Sequence, residues 1–165
     1  MASKNKWLAS IVGIAAVAVA GVGIFQWQQR REENICHHSW RDIHPGVLTI
    51  GEVDGKQERF CCPACALTTA MQTGKPVRIL RLTDFNTQKP LDPKEAFLVR
   101  GSDANLCAHP HPLTDQDKQS FPVHFDRCLP SMVAFGTVQK AEAFQQEHGG
   151  EMLRIADFSP HLRIP

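Results

Sequence analysis

Residues 7 to 27, "WLASIVGIAAVAVAGVGIFQW", carry no charged side chain. That run constrains the chain more than any other feature. As a helix rising 1.5 Å per residue it spans about 31 Å, the thickness of a bilayer's hydrocarbon core. Lys4 and Lys6 precede it, and "RREE" (Arg30 to Glu33) follows with no net charge. The positive-inside rule therefore expects the N-terminus in the cytoplasm and the body outside. Trp7 and Trp27 bracket the run, as interfacial aromatics do. A cleaved signal peptide is the competing reading, since Ala18-Val19-Ala20 is an acceptable small-residue cleavage site. The apolar run continues beyond that site to Trp27, which favours an uncleaved anchor. No lipobox-like Cys follows the run. The expected organisation is a cytoplasmic N-terminus (1–6), a transmembrane anchor (7–27), a polar linker (28–35) and a periplasmic domain (36–165). The expected location is the inner membrane of a Gram-negative bacterium, single-pass, where disulfides can form.

The body is close to neutral. Four of the 18 basic residues and two of the 17 acidic ones precede Cys36, which leaves 14 basic and 15 acidic residues. No basic face is visible, and phosphate neutralisation needs one. A nucleic-acid partner is therefore not expected. Six cysteines and eight histidines in a 165-residue chain without tyrosine make metal-ligating side chains abundant.

Along the body, strand-like and helix-like pieces alternate. "GVLTIGEVDGKQERF" (46–60) reads as a hairpin around Asp54-Gly55. "CPACALTTAMQTGK" reads as a helix with Pro63 in its first turn and Gly74 at its end. Residues 76–85 and 96–101 read as strands, and 86–96 as a loop. Residues 102–122 lack periodicity and read as a long loop. "PSMVAFG" is a short strand, and "TVQKAEAFQQEHGG" a helix capped by Thr137 and stopped by Gly149-Gly150. "EMLRIADF" reads as the closing strand. "LRLTDF" (80–85) and "LRIADF" (153–158) agree at four of six positions, each after a helix. Each helix is preceded by a Phe and a Cys near a Pro: Phe60, Cys62 and Pro63, then Phe125, Cys128 and Pro130. The expected fold class is α+β: one small domain of two β-β-α-β units after an N-terminal transmembrane helix.

The chemistry candidates lie mostly in "RFCCPACALTTAMQTG" (59–74). A C-x-x-C at a helix start, Cys62 to Cys65, places a thiol near unpaired backbone N–H groups and the positive end of the helix dipole. Both favour thiolate, which is at once a nucleophile and a soft-metal ligand. The motif is open to a thiol–disulfide oxidoreductase, a structural zinc site or plain disulfides. A zinc knuckle would want a second C-x-x-C, whereas Cys107 and Cys128 are 21 residues apart. A structural pairing would be Cys62–Cys65 and Cys107–Cys128. Cys36, His37 and His38 follow the linker on a loop. In "CAHPHP", Cys107, His109 and His111 sit in extended backbone, with both histidines on one side, a geometry suited to ion capture. Cys61 is a further thiol. Met132 and Met152 are thioethers in apolar strands and read as core.

"CH" (36–37), "RFCCPACAL" (59–67), "LTDFNTQKPLDPKEAFLVRGS" (82–102) and "CLPSMVAFGTVQKAEAFQQEHGGEML" (128–153) together resemble the NosL family, accessory proteins of the nitrous-oxide reductase system. The resemblance covers roughly residues 36–158. It implies β-β-α-β units and a periplasmic Cu(I)-binding protein, not an enzyme, that delivers copper to a copper enzyme or helps to assemble it. Partners would be that client enzyme or another copper carrier, and Zn2+ is the alternative ion. Cys36 matches the family's first cysteine, and Cys61 and Cys65 match cysteines before the first helix. The family often has a Met seven residues before the Phe of the "AF" strand; here that position is Cys128. Cys62 and Cys107 lie outside the family pattern, which makes the chain a divergent member. Cu(I) takes two or three soft ligands. The expected core pair is Cys65 and Cys128, then Cys36 and Cys62, with His37 in support and Cys61, Cys107, His109 and His111 as further candidates.

Overall fold

The computed structural model of the chain describes residues 18–28, 34–104, 106 and 128–165. It divides into two units, Met1–Asn34 and Ile35–Pro165. In the first, residues 18–28 form a helix (α1) whose apolar side chains are exposed, among them Val19, Ile24, Phe25 and Trp27. Residues 7–17, the first half of the expected membrane span, lie outside the described residues. Among the described residues no helix is long and apolar enough to cross a membrane.

The second unit is an α+β domain with two sheets. Its first half runs β1 (Thr49–Val53), β2 (Lys56–Phe60), α2 (Pro63–Thr73), β3 (Val77–Thr83). Its second half runs β5 (Phe97–Arg100), β6 (Met132–Phe135), α3 (Val138–His148), β7 (Glu151–Leu153). Each half puts its first strand in the middle, in the orders β2-β1-β3 and β6-β5-β7, and all of these pairings are antiparallel. Two short strands, β4 (Pro90–Leu91) and β8 (Leu162–Arg163), both add to β3.

Local chemistry accounts for most element boundaries. The β1–β2 turn places Asp54 and Gly55 at φ 51° and 76°, the left-handed pair that a two-residue hairpin needs. Helix α2 opens on Pro63, whose missing N–H costs nothing in the first turn, and closes on Gly74 at φ 69°. Ala64, Ala66 and Ala70 are its buried small residues, and they let α2 lie close on the sheet. The Thr68, Thr69 and Thr73 hydroxyls donate to carbonyls four residues back, so these polar side chains are satisfied within the helix. Gly51 interrupts the β1–β3 register. A Cβ there would stand 2.8 Å from a Val77 methyl and 3.0 Å from the Phe60 ring, so any side chain would push the sheet apart.

The two halves meet at the end of β3. Phe85 N–H donates to the Ala134 carbonyl (2.8 Å) beside a parallel bridge between Asp84 and Ala134. The Asp84 carboxylate accepts from Gly136 N–H (2.7 Å) and from the Thr87 N–H and hydroxyl (2.8 and 2.9 Å). Burial opposes its ionisation. The bonds from Gly136 and Thr87, with the charge of Lys140, nonetheless hold it below the usual carboxylate range.

The sequence echo occupies the same place in each half but does not keep one conformation. "LRLTDF" finishes strand β3. Only Leu153 of "LRIADF" belongs to β7, and Ile155–Phe158 is a 3-10 turn rather than the expected strand. The Asp157 carboxylate takes the Arg154 N–H (2.6 Å), and the Arg154 guanidinium reaches the Lys94 carbonyl and covers the Phe97 ring. These bonds draw the chain off the sheet. The segment 86–96, expected as loop, contains the two residues of β4.

Candidate metal centre

Three separated segments bring cysteine sulfurs to one place. Cys36 sits on a tight loop closed by its N–H to the Arg41 carbonyl (2.8 Å) and by Trp40 N–H to its own carbonyl (2.9 Å). His37 N–H, donating to the Arg59 carbonyl (2.7 Å), fastens that loop to β2. Cys61 and Cys65 flank the start of α2, four positions apart. Cys128 precedes β6. All four are at most 1% exposed.

The sulfurs of Cys36, Cys61 and Cys65 lie within 4.8 Å of one another. Cys61 Sγ is 3.1 Å from Cys65 Sγ, and Cys128 Sγ is 3.9 Å from both. The circle through the last three has a radius of about 2.1 Å, close to the ~2.3 Å of a metal–thiolate bond. An ion at its centre would reach three sulfurs after only a modest opening of the 3.1 Å edge, with Cys36 as a fourth sulfur nearby. Cys36, Cys61, Cys62, Cys65 and Cys128 are thiols rather than halves of disulfides. The donor set is soft, suited to Cu(I), and also acceptable to zinc.

The surroundings favour thiolate. Cys36 Sγ accepts from Cys61 N–H (3.2 Å) and Ser39 N–H (3.5 Å). The Ser39 hydroxyl lies 3.8 Å from Cys61 Sγ, and Arg41 Nη1 donates toward Cys128 Sγ at 3.8 Å. Hydrogen bonding from Cys61 and then Cys65 holds Cys36 far below an ordinary thiol despite its burial. The same two neighbours lower Cys128. Cys65 is pushed the other way, first by its bond to Cys128 and then by Cys36. Thiols this close titrate as one set, so their protons are shared across the cluster. A metal ion that takes the sulfurs displaces whatever thiol protons remain.

Of the residues singled out from the sequence, Cys36, Cys61, Cys65 and Cys128 converge. Cys62 takes a different place. It is the residue before the first turn of α2, with extended backbone and no capping bond from its thiol, and it is buried beside Cys65. Cys61, ranked low from sequence, is the sulfur that touches both Cys65 and Cys128. Its signal was the match to the family's cysteine before the first helix; helical spacing does not reach it, because the backbone at Cys62 is extended. The His37 imidazole turns to Glu58 (Nδ1 to Oε2, 3.1 Å) and stands edge-on to Phe60. His38 contacts the Thr69 hydroxyl at 3.3 Å. Cys107, His109 and His111 lie outside the described residues. Ser39 and Arg41, which line the cluster, were missed because nothing in the sequence marks a polar neighbour of a distant sulfur.

No family model matches the chain, and no curated protein matches it. The chain is similar to the copper chaperone NosL from Shewanella denitrificans, at 16% identity over 74% of this chain and 87% of that one, with a TM-score of 0.45.

Proposed function

We propose that this chain is a membrane-anchored, extracytoplasmic Cu(I)-binding protein that carries copper to a copper enzyme, or helps to insert it there, without catalytic turnover of its own. The observation that carries this reading is the convergence of four buried sulfurs from three chain segments on one point. A carrier needs a site that binds tightly and still gives up its ion, and two or three soft ligands meet that need for Cu(I). The exposed apolar face of α1 and the uncharged run from residue 7 support an anchor in the inner membrane, with the cluster on the periplasmic side. The client is a copper enzyme of the nitrous-oxide reductase type, or another copper carrier that serves one. That part rests on the sequence resemblance.

The C-x-x-C motif counts less toward a thiol–disulfide oxidoreductase than it did in isolation. Cys62 and Cys65 are each 1% exposed, whereas attack on a disulfide needs a reachable thiolate. Disulfides joining Cys62 to Cys65 and Cys107 to Cys128 would together remove two of the cluster's four sulfurs, Cys65 and Cys128, and leave only Cys36 and Cys61 to hold an ion. The deciding experiment is an anaerobic Cu(I) titration of the full chain in detergent against a competing chelator, repeated with Zn2+. Tight one-to-one Cu(I) binding that is lost in the Cys65→Ser/Cys128→Ser double variant is expected. Unchanged affinity in that variant would contradict the reading, and a clear preference for Zn2+ would replace copper by zinc.

A further inference from the structure

The four sulfurs are buried, so an ion must have a way in. One cavity of about 70 Å³ adjoins them. Its lining includes Cys128 and Met132 on one side, and Ala64, Leu67, Thr68 and Met71 of α2 on the other, with Arg100 on the wall. A space of this size admits an ion with one or two small ligands, and is far too small for a protein segment. It grades from solvent to cluster. Met71 is 61% exposed at the rim, whereas Met132 and Cys128 are each 1% exposed. Met71 lies seven residues after Ala64 and four after Leu67, so all three share one face of α2. Thr68 on that face directs its hydroxyl to the Ala64 carbonyl (2.9 Å), away from competing as a ligand. The sulfur donors among the lining residues are the exposed Met71 thioether, the buried Met132 thioether and the Cys128 thiol of the cluster.

We propose that this cavity is a transfer site, in which the Met71 and Met132 thioethers pass Cu(I) between solvent and the buried thiols. The inference rests on reading the cluster as a Cu(I) site. Each step is a ligand exchange in which copper stays Cu(I). The bond to the donor's ligand breaks as the bond to Met71 sulfur forms, and the Met71 bond breaks as copper moves through Met132 to Cys128. A thiol still protonated releases its proton to water when it binds. Neutral thioethers hold Cu(I) less tightly than thiolates, so affinity rises along the path and the ion is not trapped at the rim. Arg100 beside the path favours an incoming ion that still carries anionic donor ligands over a bare cation.

The test compares the full chain in detergent with Met71→Leu, an exposed and nearly isosteric change that leaves the fold intact by circular dichroism. Stopped-flow measurement of Cu(I) uptake from a chelator, and of its release to a second chelator, gives both rates. Both are expected to fall by about tenfold, the rate effect of a 1.4 kcal/mol barrier change, with the equilibrium affinity unchanged within about twofold. Methyl-carbon NMR of the labelled methionines during Ag(I) titration should show the Met71 and Met132 signals responding, and Met152 silent. Unchanged rates in Met71→Leu, or silent Met71 and Met132 signals while the wild type binds Cu(I), would overturn the transfer site and leave the cluster's function standing. A wild type that binds no Cu(I) would overturn both.

Discussion

Helix α3 starts on Thr137, whose hydroxyl accepts the Lys140 N–H (3.4 Å), while helix α2 starts on Cys62, whose thiol makes no capping bond. The two helices occupy equivalent positions in halves of equal strand order, so the contrast isolates what one half gave up. An N-cap hydroxyl is typically worth about 1 kcal/mol. In the first half, backbone donors near the helix start serve sulfur instead, as Cys61 N–H does for Cys36. The cores differ in the same sense. The second half packs Phe135 and Phe144 with Phe85, ring centroids 5.0 to 5.8 Å apart. The buried residues of α2 carry no aromatic ring: they are Pro63, three alanines, Cys65 and Thr69. The first half holds two of the cluster's sulfurs at the start of its helix, the second packs its helix with aromatic rings and lends Cys128, and the bonds of Asp84 tie the two together.

That division can be broken from either side. The largest expected effect is on stability, from the packing half. Phe144→Ala removes a ring in contact with Phe85, Phe135 and His148, and should cost about 3–5 kcal/mol in urea unfolding, with Cu(I) affinity of the folded protein unchanged. From the sulfur half, Cys61→Ser should lower Cu(I) affinity by about 100-fold or more, beyond the ~10–100-fold typical of changes one layer further out. Chelator competition measures it. Cys62→Ser in the same assay should move affinity by no more than a few-fold. Equal losses in the two variants would refute the separation of these neighbouring cysteines.

The bond between the halves should give a smaller, pH-dependent effect. Asp84→Asn replaces a carboxylate that accepts three hydrogen bonds, and should cost about 2 kcal/mol at neutral pH. Because the folded carboxyl titrates below its ordinary value of 3.8, the wild-type advantage is complete above that value. It shrinks as pH falls through the folded value. Unfolding curves of both proteins between pH 7 and pH 3 should therefore converge toward the acid end, and parallel curves would show that Asp84 is not the charged tie. The smallest effect belongs to the cap itself. Thr137→Ala should cost about 1 kcal/mol, read as a lower midpoint in urea with no change in metal binding.

Where a single residue sets a boundary, the sequence revealed it. Asp54-Gly55 marked the hairpin, Pro63 and Gly74 the ends of α2, and Thr137 and Gly149 the ends of α3. The internal echo pointed to two like halves. Elements created by tertiary pairing were not visible. Two residues such as Pro90–Leu91 or Leu162–Arg163 become strands only because β3 lies beside them. "LRIADF" leaves the sheet because Asp157 claims the Arg154 N–H, a choice that its twin "LRLTDF", with the same Asp, does not make: Asp84 is already engaged by Gly136 and Thr87. At the site, sequence could nominate thiols but not arrange them. Cys61, Cys62 and Cys65 are neighbours of one type. Only Cys36, 25 residues upstream, and Cys128, more than 60 downstream, decide which of them faces the cluster.

On this reading, cysteine sulfurs from separate segments share one Cu(I) ion. Copper K-edge X-ray absorption of the anaerobically loaded chain tests it most directly. Three sulfur scatterers near the ~2.3 Å of a metal–thiolate bond are expected, falling to two in Cys128→Ser. A first shell dominated by nitrogen or oxygen, or one unaltered by loss of Cys128, would contradict the claim.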